Sequence, residues 1–276
     1  MRLSHPLRVG LATLAVTAAL GAASALPAMA DSGSSPSPSP SASSAPTSSP
    51  SPSASNSPTS SPSPVAKVGG CSGTQAAILA CIKQRSATAV SNRETRLQQL
   101  TNDVNDSADI TAGDKSTLLG QLQSDETSLD SLNTTIQNDT SVKQAWQDAQ
   151  TIVTGYRVYL LETPKVHLVI AADTEATVWS DISSVMPALQ TAINDSTASA
   201  ADKEKAQTAF NDCTSQLAAA QSASSGVVSE VIDLLPSGYP GNQPTLVSAR
   251  QSVVTARRDL GTCRTDINTI RTALGI

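Results

Sequence analysis

Residues 246–274 read LVSARQSVVTARRDLGTCRTDINTIRTAL. Leu246, Ala249, Val253, Ala256, Leu260, Cys263, Ile267, Ile270 and Leu274 recur at alternating steps of three and four. An α-helix closes a turn every 3.6 residues, so this spacing lines one helix face with apolar side chains; a strand would need alternation at every second residue. The register holds over four heptads. The seam is thin, with alanines and a cysteine among the larger side chains, and needs a second helix lying close against it. The fold class expected is all-α: an elongated antiparallel helical bundle of coiled-coil hairpins.

Working back from this helix, PSGYPGNQ at 236–243 is a turn that folds it onto a preceding helix. Cys213 and Cys263 are placed symmetrically about residue 238 and both sit on apolar seams, Cys213 with Phe210, Leu217 and Ala220. An antiparallel hairpin therefore predicts a Cys213–Cys263 disulfide, which leaves Cys71 to pair with Cys81. No C-x-x-C motif supports a redox-active pair instead. Further seams run through Leu118, Leu122, Leu129, Leu132 and Ile136, with Asp125 occupying one slot, and through Val142, Trp146, Ala149, Val153, Tyr156 and Leu160. Helices are expected at 73–107, 112–138, 141–161, 164–196, 200–235 and 244–273.

Thr111-Ala-Gly-Asp114 and Ser199-Ala-Ala-Asp202 each place a hydroxyl at the N-cap and a carboxylate three residues on, beside the positive end of the helix dipole. The surrounding strings NDSADITAGDK and NDSTASAADK resemble each other, as a weak internal repeat or through convergent capping. Pro164 suits a first helical turn, whereas Pro187 should kink or restart its helix. YRVYLLETPKVHLVI at 156–170 reads either as helix, continuing the heptad that enters it, or as a β-hairpin about Thr163-Pro164.

Toward the N-terminus, Arg2 and Arg8 precede the apolar segment VGLATLAVTAALGAASAL, and Ala28-Met29-Ala30 precedes Asp31. This is the pattern of a signal peptide over 1–30, with an uncleaved anchor as the alternative. Residues 31–68 form a Ser/Pro-rich tail with nine of the sixteen prolines. It has too few apolar side chains to offset its ordering entropy, and reaches roughly 100 Å if extended. VGGC before Cys71 lies too far from the apolar segment to be a lipidation signal. The helical domain is expected over 69–276. Losing Arg2 and Arg8 takes the formal charge from -5 to -7, and aromatics are 2% of the chain. That composition disfavours nucleic acid, whose phosphates need concentrated basic surface and whose bases need stacking partners.

Three groups of residues carry candidate chemistry. Asp103, Asn105, Ser107, Asp109 and Asp114 fall at positions 1, 3, 5, 7 and 12 of an EF-hand-like loop, so calcium is the one candidate cofactor. The loop departs from EF-hand and dockerin-type repeats at Ala108, where glycine makes the sharp turn, and at Asp114, where a bidentate Glu is usual; plain helix capping explains the same residues. Arg250, Arg257, Arg264 and Arg271 are seven apart and flank the last seam, either pairing with acids of a neighbouring helix or forming an anion-binding stripe. Glu162 and His167 are the nearest thing to an acid–base pair, and no nucleophile signature accompanies them.

The signal peptide, Ser/Pro/Thr-rich tail and Ala/Thr/Asp-rich heptads together resemble uncharacterised secreted helical proteins of high-GC Gram-positive bacteria. The likeness is compositional; it implies export and a helical fold and carries no functional residues. The function expected is that of an exported, non-enzymatic structural or binding protein, secreted or associated with the cell wall, with an envelope or extracellular protein or a wall polymer as partner. A calcium- or polyanion-binding surface protein is the alternative, and a helical enzyme centred on Glu162 and His167 a third reading. Oligomeric state is open, since apolar heptads can be satisfied within or between chains.

Overall fold

The computed structural model describes residues 66–276. The expected signal peptide and nearly all of the expected tail lie outside the described residues. Strand β1 (Ala66–Val68) pairs antiparallel with β2 (Cys71–Gly73), so the folded chain begins shortly before the boundary expected at 69. Gly69 turns between them with φ +56°, and a Cβ there would meet the indole of Trp146. Only glycine lets this hairpin lie flat on that ring.

Five long helices carry the fold: α1 (Gln75–Asp106), α2 (Ala112–Asn138), α4 (Thr163–Asp195), α5 (Ala200–Ser224) and α7 (Gln243–Leu274). Between them lie the shorter α3 (Val142–Thr154) and the single turn α6 (Val227–Val231). Hydroxyl caps start four of the helices: Thr74, Thr111, Ser141 and Ser199 accept from the amides of Ala77, Asp114, Gln144 and Asp202 at 3.1–3.3 Å. Each satisfies an amide that has no partner within its own helix.

Helices α1, α2 and α3 pack together, as do α4, α5 and α7, and α4 also reaches back to α1. One core joins Leu97 and Leu100 of α1, Leu118 and Leu122 of α2, Val166 and Val169 of α4, Val227 and Val231 of α6, and Leu246 and Ala249 of α7. A second, between α4, α5 and α7, holds Met186, Cys213, Leu217, Ala256, Leu260 and Cys263. The all-α, disulfide-stapled architecture expected from the heptads is present. Leu246, Ala249, Val253, Ala256, Leu260, Cys263 and Ile270 are buried as the seam of α7. Its larger members contribute roughly 1.5–3 kcal/mol each on full burial, and its alanines let the helices approach closely.

Both disulfides join the cysteines that the spacing pairs: Cys71–Cys81 with Cα atoms 5.9 Å apart, and Cys213–Cys263 at 4.1 Å. The second is fully buried between α5 and α7, against Met186.

The structure corrects four details. The seam of α3 is displaced by one position: Ala145 and Ile152 are buried, while Trp146, Val153 and Leu160 are 37, 46 and 38% exposed. Small Ala145 fits against Cys71, Ile78 and Ile82, and Trp146 covers the β-turn from outside. The helix expected over 141–161 ends at Thr154, because Arg157 takes a left-handed conformation (φ 48°) before a π-helical turn, Val158–Glu162, that leads straight into α4. The π turn re-phases the chain so that Val158 and Leu161 point into the core, and the segment is helical from Val158 to Ile170 rather than a hairpin. The helix expected over 200–235 ends at Ser224, and α6 follows a short turn. Pro187 does not restart α4; it is exposed, where water can meet the carbonyl it leaves unpaired.

Candidate functional site

The calcium candidate does not assemble as a cage. Asp103 and Asn105 lie in the last turn of α1 and Ser107 is its C-cap, so the first three would-be ligands follow helix geometry rather than loop geometry. Asp103 Oδ2 lies 3.3 Å from His167 Nε2 of α4. Asp109 is exposed, and Asp114 Oδ2 accepts from Thr111 Oγ1 at 2.6 Å, while the Thr111 backbone N–H donates to Asp173 Oδ2 of α4 at 2.9 Å. Ile110 is buried in the core. Among the described residues no three His, Cys, Asp or Glu side chains gather into a metal-holding group.

The repeat of this turn at 194–203 explains the sequence likeness. Ser199 Oγ donates to Asp202 Oδ2 at 2.7 Å, as Thr111 does to Asp114. Lys115 Nζ reaches back to the carbonyl of Asn105 at 2.9 Å, and Lys203 Nζ to that of Asn194 at 3.4 Å. In both turns a lysine of the new helix meets the negative end of the old one. The shared string encodes a helix–helix corner.

Glu162 and His167 are not brought together as an acid–base pair. Glu162, at the end of the π turn, is 2% exposed and forms an ion pair with Lys165 at 2.8 Å, although Oε2 is not aligned for a good hydrogen bond. Burial raises the Glu162 carboxyl above its ordinary range, and the Lys165 ammonium pulls the other way. Lys165 Nζ also reaches the Leu234 carbonyl at 3.4 Å in the connection after α6. Asp125 of α2 joins this cluster: desolvation first, then the charge of Glu162, pushes its carboxyl up to about 6. Tyr156 is raised as well, by burial and by the charge of Asp125. Gln121 Nε2 donates to Ile232 O and Asn242 Nδ2 to Leu235 O, both at 3.0 Å, so side chains of α2, α4 and the connection itself hold three carbonyls of the α6–α7 connection. Sequence reading did not single out Lys165 or assign Asp125 a role. The signal for Asp125 was present, as the one acid interrupting the α2 seam.

The arginine row lies on one exposed flank of α7. Arg257 Nε donates to Glu175 Oε1 of α4 at 2.7 Å, where the carboxylate is 6% and the guanidinium 53% exposed. Arg250, Arg264 and Arg271 form no ion pair among the described residues. Inter-helix pairing thus holds for one member of the row. Of the surface depressions, one between α5 and α7 is lined by Glu204, Lys205, Thr208, Asp212, Asp266 and Thr269, and another by Gln84, Arg85, Thr88 and Asn92 of α1. Compared with known proteins, the chain matches no protein-family model, no curated protein and no solved structure.

Proposed function

We propose that this chain is an exported, non-enzymatic helical protein that acts as a structural or binding module in the cell envelope or the surrounding medium. The observation that carries the reading is the pair of disulfides with no free cysteine among the described residues. Disulfides persist where the surroundings are oxidising, as outside the cytosol. No described helix is long and apolar enough to cross a membrane, which is compatible with a chain released after export. The long helical faces offer extended surface, the form in which a scaffold or binding module meets a partner.

Fractionation of the producing cell, with thiol alkylation before and after reduction, tests the proposal. Protein in the medium or envelope fraction whose cysteines react only after reduction supports it. Protein in the cytosol with freely reacting thiols contradicts it, and turnover of a defined substrate would contradict the non-enzymatic part.

A further inference from the structure

We propose that the outer flank of α7 binds a linear, phosphate-bearing polymer through Arg250, Arg257, Arg264 and Arg271. This supplies a ligand class for the binding role proposed above and rests on that reading, though it can fail while export and the disulfides stand.

The whole chain carries formal charge -5, yet α7 has five arginines, no lysine and only Asp259 and Asp266 as acids. Each acid stands two residues beyond a row arginine, so it lies about 200° around the helix, on the opposite flank. The row itself therefore faces solvent without a carboxylate of its own helix beside it. Seven residues rise about 10.5 Å, which sets the four guanidiniums in a line about 32 Å long. Glu175 fixes the position of Arg257, and the other three side chains extend from a helix held by a buried disulfide and an apolar seam.

Guanidinium binds phosphate oxygens bidentately, and is weakly hydrated compared with ammonium. A line of such groups matches charges repeated along a chain better than a single compact anion. A membrane surface fits less well: the large apolar side chains exposed on α7 are Val247 and Val254 alone, while its continuous apolar face is buried in the bundle. A helix lying in a lipid interface needs that face free. Nucleic acid fits less well too, since no aromatic side chain stands on α7 to stack a base.

The test uses the full disulfide-bonded chain and fluorescein-labelled inorganic polyphosphate, with anisotropy read from 25 to 200 mM NaCl. Binding should weaken linearly on a log–log plot with slope about -2 to -3.6, the range for three or four phosphate contacts. Arg250→Gln, Arg264→Gln and Arg271→Gln should each lower the slope by about 0.7–0.9, and the triple variant should lose binding. Lys143→Gln, on the exposed surface of α3, should leave the slope unchanged. Far-UV circular dichroism and thermal melting serve as the check that the triple variant is folded. Absence of polyphosphate binding at low salt overturns the proposal, as does equal loss in Lys143→Gln and in the row variants. Capture by anionic phosphatidylglycerol vesicles without polyphosphate binding overturns it in favour of a lipid surface.

Discussion

Replacing Asp125 by Asn should stabilise the protein at neutral and alkaline pH and change little in acid. The carboxyl sits in a seam slot of α2, near Glu162 and Tyr156, and its pKa is pushed up from 3.8 to about 6 by desolvation and then by the charge of Glu162. A carboxyl whose pKa is raised on folding holds its proton more tightly in the native state. Its contribution to stability is fully present below the unfolded value, near pH 4, and is lost as pH rises through the folded value, near pH 6. About two pKa units at 1.36 kcal/mol each give an upper bound of about 3 kcal/mol. Water reaches part of this side chain, and screening brings the expected effect to about 1–2 kcal/mol. Asn keeps the shape and removes the charge. Urea denaturation of both proteins at pH 4, 6 and 8 is the assay. Asp125→Asn should match the parent at pH 4 within about 0.5 kcal/mol and exceed it by about 1–2 kcal/mol at pH 8. A difference that does not vary with pH, or a loss of stability at pH 8, would refute the reasoning.

Three further outcomes follow from the same geometry. The double variant Cys213→Ala/Cys263→Ala opens a 50-residue loop and should cost up to about 4 kcal/mol by chain entropy, seen as a lower urea midpoint. Lys165→Met leaves the Glu162 carboxylate buried without its counter-charge and should cost about 3–5 kcal/mol at pH 8, with much of this recovered in Glu162→Gln/Lys165→Met. Thr111→Ala removes the acceptor for the Asp114 amide and should cost about 1 kcal/mol in thermal melting.

Periodicity and spacing sufficed for much of this fold. The α7 seam is a long repeat whose every position agrees, and the midpoint of a hairpin constrains which cysteines can meet, so both were legible. The α3 seam was not, because an apparently unbroken spacing of three and four ran through Trp146 and Val153. Helix proximity instead favours Ala145 inside, and the β-turn at Gly69 gives Trp146 a partner on the surface. The π turn at Val158–Glu162 was equally hidden, since it conserves helical composition while shifting phase. At the candidate sites, sequence spacing brought Asp103, Asn105, Ser107, Asp109 and Asp114 into an EF-hand register that helix geometry then disperses. It placed the arginine row correctly on a flank, but which acids α4 would bring within reach depends on the relative register of two helices distant in sequence. Among the described residues only Glu175 meets it as an ion pair.

The central claim, an exported helical bundle stapled through Cys71–Cys81 and Cys213–Cys263, is tested most directly by mass spectrometry of the protein isolated from its producing cell. Non-reduced peptide mapping should recover those two cross-linked pairs, in a chain beginning at Asp31 and four hydrogens lighter than its reduced form. Free thiols, or a cross-link joining Cys71 or Cys81 to Cys213 or Cys263, would contradict it.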